Sequence, residues 1–199
     1  MKKIIMSAVA ALAVGSAMAW SPIGLSIVTP AQLPYVTSDV YGLRLNCIFG
    51  CNENVKGIDI GLAGAATGVE QGIQCGLVDV VYGDAAGLQV AGLSYNGGEF
   101  DGLQVSSLFN WNELAVCGVQ ISTINVDKTE FRGLAFGGLD MANSVVGAQI
   151  GGMNLADSVN GLQLGFLNAC NKMKGVQIGL VNMITSSKLP VMVVANAWF

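Results

Sequence analysis

The chain contains no histidine, which removes the commonest general base together with the usual Ser-His-Asp and Cys-His nucleophile arrangements. Zinc loses its usual nitrogen ligand with it. The five cysteines, Cys47, Cys51, Cys75, Cys117 and Cys170, include no Cys-x-x-Cys pair, so a zinc site is not expected. Charge is also scarce. Only 11% of the residues are Asp, Glu, Lys or Arg, about half the share of an ordinary soluble domain, whereas 52% are hydrophobic. Either the surface is unusually neutral or part of it faces something apolar.

What is present begins with Lys2 and Lys3, an apolar run from Ile4 to Val14, and small residues ending in Ala17-Met18-Ala19. That pattern reads as a secretory signal peptide over residues 1–19, and its apolar run is too short to cross a bilayer as a helix. A mature chain starting at Trp20 is expected, with no Cys beside the cleavage site to accept a lipid. Without the two leader lysines the chain has seven basic and thirteen acidic side chains, a balance that argues against nucleic acid or anionic lipid as a partner. Export leads to a compartment where disulfides can form. Five cysteines cannot all pair; Cys47 and Cys51 are close enough to bridge a turn, and Cys75 falls in a column expected to be core.

After a leader over residues 20–40, a Gly recurs at 42, 57, 72, 87, 102, 118, 133, 147, 161 and 175. Ten units at a period of 14 to 16 residues make a repeat architecture the firmest conclusion available. The residue one after each Gly is apolar, from Leu43 and Ile58 through Leu162 and Val176, and so is the residue three after, from Leu45 and Ile60 through Leu164 and Ile178. Between them lies a polar column containing Gln74, Gln89, Gln104, Gln120, Gln149, Gln163 and Gln177. Apolar, polar, apolar is the alternation of a short strand with one buried face, which would set the glutamines on the outside. The next apolar column comes three residues later, where a strand demands two, so the chain turns a corner at the small residues in between. Asn125, Asn154, Asn168 and Asn182 then form a further column, with Asp79 and Asp140 in the same place, able to stack as amide ladders, although surface polarity explains them almost as well.

Two exported architectures suit such a unit. One is an all-β solenoid of about ten coils, with repeats over residues 41–188, an N-terminal cap over 20–40 and a C-terminal capping strand over 189–199. The other is a transmembrane β-barrel with one strand per unit. Identical openings in every unit, and the broken alternation, favour the solenoid; the terminal Phe199 after an alternating run is the feature that suits a barrel. The units Gly-Leu-Gln-Leu-Gly-Phe-Leu-Asn from Gly161 and Gly-Val-Gln-Ile-Gly-Leu-Val-Asn from Gly175, with the array opening Val40-Tyr41-Gly42-Leu43-Arg44-Leu45, resemble the leptospiral-type bacterial surface-repeat family. The resemblance covers residues 40–185. It implies an exported envelope or surface protein of undetermined biochemical role and brings no catalytic residues with it.

The residues themselves propose two surfaces. The glutamine column reads as a flat amide-bearing face open to a polysaccharide or another envelope protein, although simple strand surface explains it more readily. Asp84, Glu99, Glu113 and Glu130 form a candidate acidic strip at the far edge of their units, where carboxylates can hold glycan hydroxyls or a cation, although a solvated turn edge explains them more simply. Arg44 and Asp59 share one column in adjacent units and are expected to pair across coils as an exposed ion pair. The function expected from all this is a non-enzymatic envelope module that acts through stacked faces, with no cofactor, no metal and no nucleic acid. Residence in the periplasm, at the outer membrane or on the cell surface follows from export. A glycan-active enzyme ranks third, after an outer-membrane barrel.

Overall fold

A computed structural model describes residues 19–198, and among them it is a β-solenoid. Residues 1–18, which make up most of the expected signal peptide over 1–19, and Phe199 lie outside the described residues. The chain enters through β1 (Trp20–Val28) and the short β2 (Ala31–Leu33), and winds through β3 (Asp39–Asn52), β4 (Val55–Ala66), β5 (Glu70–Cys75), β6 (Val78–Val81), β7 (Ala85–Asn96) and β8 (Phe100–Asn112). It continues into β9 (Val116–Ile184), which is 69 residues long, and ends in β10 (Val191–Trp198).

Successive coils pair in parallel with equivalent residues opposite each other: Gly42 meets Gly57, Gly57 meets Gly72, Gln74 meets Gln89 and Gln89 meets Gln104. The sheet order is an open path from β10 to β2, so the ends never meet and the barrel alternative is excluded. Counted by separate strands the stack has about seven turns, slightly fewer than the ten units of the sequence. The difference lies in β9, which runs through five units without a break and carries Gly118, Gly133, Gly147, Gly161 and Gly175. At the first end β1 pairs in parallel with β3 and in antiparallel with β2; at the other, β10 folds back antiparallel over β9.

The repeated Gly is dictated by the stacking. All ten have φ between 121° and 147°, a backbone that side chains disfavour. A Cβ on Gly118 would also lie inside contact distance of the Gly102 carbonyl in the coil before it. Each turn of the chain therefore rests on the backbone of the last, and only glycine leaves room.

Two consecutive outward residues mark the opposite corner. The small residues four after each Gly (Ala91, Ser106, Ser122) and the Asn column three further on both face inward. The side chains between them, such as Leu62, Leu77, Phe166 and Leu180, therefore point out. The apolar core is a third column, two residues before each Gly: Val55, Ala85, Phe100, Val116, Phe131, Val145, Val159 and Met173, closed by Ala66, Val81, Cys170 and Ile184.

Candidate functional site

The glutamine column is inside. Gln104, Gln120, Gln163 and Gln177 are fully buried, and Gln74, Gln89 and Gln149 nearly so, which corrects the expectation of an exposed amide face. The reason is hydrogen-bonding capacity. An amide carries donors and acceptors together, so identical residues one coil apart satisfy each other along the stack. Gln89 Nε2 donates to Gln74 Oε1 (2.8 Å), Gln104 Nε2 to Gln89 Oε1 (3.0 Å), and Gln120 Nε2 to Gln104 Oε1 (3.0 Å). Ala135 interrupts the column, which resumes with Gln163 Nε2 donating to Gln149 Oε1 and Gln177 Nε2 to Gln163 Oε1, each at 2.8 Å. The asparagines form the second ladder: Asn154 Nδ2 donates to Asn168 Oδ1 (2.7 Å), and Asn168 Nδ2 to Asn182 Oδ1 (2.8 Å).

With amides facing inward, the alternation turns the apolar columns outward. Ile58, Ile60, Leu103, Ile121, Leu134, Leu164 and Ile178 are all exposed, where burial was expected. Cys75 belongs to one of these columns and is half-buried rather than core, whereas Cys170 is the buried cysteine. Cys47 and Cys51 are both free, so the bridge considered for them is absent. Met141, Met153 and Met183, which would pass for core filler in the sequence, are on the outside, and Met173 is inside.

The first coils hold a charged interior. Arg44 Nε and Nη2 donate to the two carboxylate oxygens of Asp59 at 2.8 and 2.6 Å, and Arg44 Nη1 donates to the Ala65 carbonyl. The pair crosses coils as expected, but it is buried rather than exposed. Glu70 lies 3.7 Å from Arg44 Nη2. Burial, only partly offset by Arg44, pushes the Glu70 carboxyl up to about 8. Burial and then the nearby Asp59 charge push Asp79 to about 8 as well. Asp127 and Asp140 are raised to about 6, again mainly by burial. Glu70 falls among the charges of the second half of its unit and would be expected on the solvated edge, but it is buried; the signal that could have found it is its place in a column otherwise filled by Val55, Ala85 and Phe100.

The acidic strip is where the sequence put it, on the outer edge. Asp84 and Glu99 are exposed, Glu113 and Glu130 partly so. Glu113 accepts from Lys128 Nζ (2.9 Å) and Trp111 Nε1 (2.8 Å), and these hydrogen bonds, Lys128 first, hold its carboxyl below the usual range. Glu130 is engaged by Arg132. Among the described residues no group of three or more His, Cys, Asp or Glu side chains is arranged to hold a metal ion.

Charge is distributed sharply. Arg44, Asp59, Glu70, Asp79, Asp127 and Asp140 face the interior. Every other charged side chain from Asp39 to Lys188 falls in the last third of its unit, on the single edge that carries Glu53, Asp84, Glu99, Lys128, Asp157 and Lys172. The two broad faces and the far corner carry none. Two apolar grooves lie against these faces near the ends: one of about 730 Å³ between Leu25, Ile27, Leu33, Leu45 and Ile60, and one of about 500 Å³ between Ile150, Leu164, Phe166, Ile178 and Val194. No family model matches the chain, and no curated protein or solved structure matches it.

Proposed function

We propose that the protein is a non-enzymatic module of the cell envelope whose working surface is its apolar exterior. The observation that carries this reading is the inversion of the coil, with amide ladders inside and uncharged apolar columns outside. A monomer in water rarely shows contiguous apolar patches beyond a few hundred Å². Here the apolar columns run along the stack, from Leu45 to Ile178 on one face and from Phe49 to Val181 on the other. Leaving them bare would forgo about 25 cal/mol for each Å² that a partner can cover. The export signal read in the first nineteen residues supports an envelope location.

The glycan-hydrolase reading is weaker on chemical grounds. A general acid needs a raised carboxyl on the surface. The raised carboxyls, Glu70 and Asp79, are enclosed, and Glu113 on the outer strip is lowered. The direct test is temperature-induced detergent phase partitioning of residues 20–199. The mature chain is expected in the detergent phase, and recovery wholly in the aqueous phase as a monomer would overturn the proposal.

A further inference from the structure

Resting on that apolar-surface reading, we propose that the occupant of the exterior is one leaflet of a lipid bilayer, into which the solenoid is set as a wedge with its charged edge at the headgroups. Three observations carry it. The apolar surface is three-sided, comprising both broad faces and the corner between them where Leu62, Leu77, Phe166 and Leu180 stand 51–70% exposed. A flat protein partner or a second copy covers one face of such a body, whereas lipid chains close around all three. The charges of the exterior are confined to the fourth side, which is the partition a leaflet imposes.

The depth also fits. From the glycine column to the far corner is five residues of strand, about 17 Å at ~3.3 Å per residue, against the ~15 Å that is half of a ~30 Å hydrocarbon core. Because hydrogen bonds run along the stack, each interior coil has paired its backbone groups before it meets lipid.

The aromatic residues supply the third observation. Trp20, Tyr41, Trp111 and Trp198 lie where the apolar faces meet the charged edge, and the polar tips of Tyr41 and Trp111 reach carboxylates of that edge. Tyr41 Oη donates to Asp39 (2.6 Å) and stacks on Trp20; Trp111 Nε1 donates to Glu113, and Lys128 lies 4.8 Å from the Trp111 ring. At the last coil Trp198 sits opposite Gly175, at the same level. Amphipathic rings in that position are how proteins mark a membrane–water interface. The acidic surplus of the chain makes a zwitterionic leaflet the better host.

Two native cysteines report the two ends of the wedge. Cys47 is exposed at the apolar corner, and Cys117 is exposed beside its column Gly at the charged side. Chains are prepared with one or the other as the reactive thiol, the remaining accessible cysteines changed to Ser and the buried Cys170 kept. A third chain carries Leu77→Cys as a corner probe outside both end grooves. Each is reacted with a water-soluble maleimide in buffer and with phosphatidylcholine vesicles. Vesicles are expected to slow Cys47 and the Leu77→Cys probe by about tenfold or more and to change Cys117 by less than about twofold.

Equal protection of all three probes would overturn the one-leaflet geometry. Corner probes that stay reactive on vesicles, in a chain that still enters the detergent phase, would reject lipid and leave the apolar-surface reading standing. Corner probes already shielded in buffer, in a particle of twice the chain mass, would assign the face to a second copy. A chain that stays in the aqueous phase with every probe reactive would reject both readings.

Discussion

Between Gly42 and Asp79 the interior carries Arg44, Asp59, Glu70 and Asp79, whereas between Gly147 and Asn182 the equivalent columns hold Gln149, Gln163, Gln177 and Asn154, Asn168, Asn182 with no carboxylate or cation among them. Both ends have the same backbone and the same glycine step. They differ in whether the interior chemistry can be repeated. Gln163 donates to Gln149 and accepts from Gln177, so the ladder can be extended by any number of identical coils. A carboxylate only accepts, and a second one stacked on it repels, so the charged end needs a cation and is built once, around the single buried Arg44. The regular end therefore propagates the fold, and the charged end terminates it.

The largest effect that would break this contrast is Arg44→Leu. It strands the Asp59 carboxylate in the interior and is expected to lower stability by about 3–5 kcal/mol, read as a shift of the urea unfolding midpoint. The glycine column, common to both ends, sets the control. Gly57→Ala and Gly161→Ala each force a side chain into a positive-φ backbone, at about 1–3 kcal/mol for the strain before any clash with the coil below. The two should lose similar amounts, and a large inequality would mean that the ends differ in backbone packing rather than in interior chemistry. Gln163→Leu leaves the Gln149 acceptor and the Gln177 donor without their ladder partner, for an expected loss of about 1–3 kcal/mol. If Arg44→Leu proves no worse than Gln163→Leu, the charged end is energetically no different from an amide ladder.

The period, the corner and the glycine step could be read from residues alone, because they are set by backbone geometry that recurs in every unit. Which side of the strand faces inward could not. Alternation states only that two sets of side chains face opposite ways, and the ordinary rule places the apolar set inside. Leu103 and Val105 flank Gln104 identically under either choice. The decision belongs to the ladder: stacked amides one coil apart satisfy each other at 2.8–3.0 Å, and an interior of that kind is visible only once the coils are in register. The candidate surface was misplaced for the same reason. Asp84, Glu99, Glu113 and Glu130 were placed correctly because turn residues with charge have only one comfortable side. Arg44 and Asp59 were paired correctly by column but given the wrong surroundings, since their burial follows from the same reversal.

The response to pH sharpens the contrast most. Glu70 rises from an ordinary 4.5 to about 8 in the folded chain, and Asp79 from 3.8 to about 8, both chiefly through burial. A raised folded-state value means that the folded protein holds protons the unfolded chain releases. Their contribution to stability is therefore complete below about pH 4 and drains away as the pH climbs towards about 8. Asp127 and Asp140, raised to about 6, drain over the lower part of that window. The melting temperature of the parent chain is thus expected to fall between about pH 5 and about pH 8. Asp79→Asn, which gives that position the residue of Asn154 and Asn168, and Glu70→Gln should together flatten the fall from about pH 6 to about pH 8 and shrink the fall below about pH 6 to the share of Asp127 and Asp140. A parent chain whose melting temperature stays level or rises across the window would show that the two carboxyls are not held protonated. The charged end would then have to be stabilised by Arg44 acting on all three of its neighbouring acids at once.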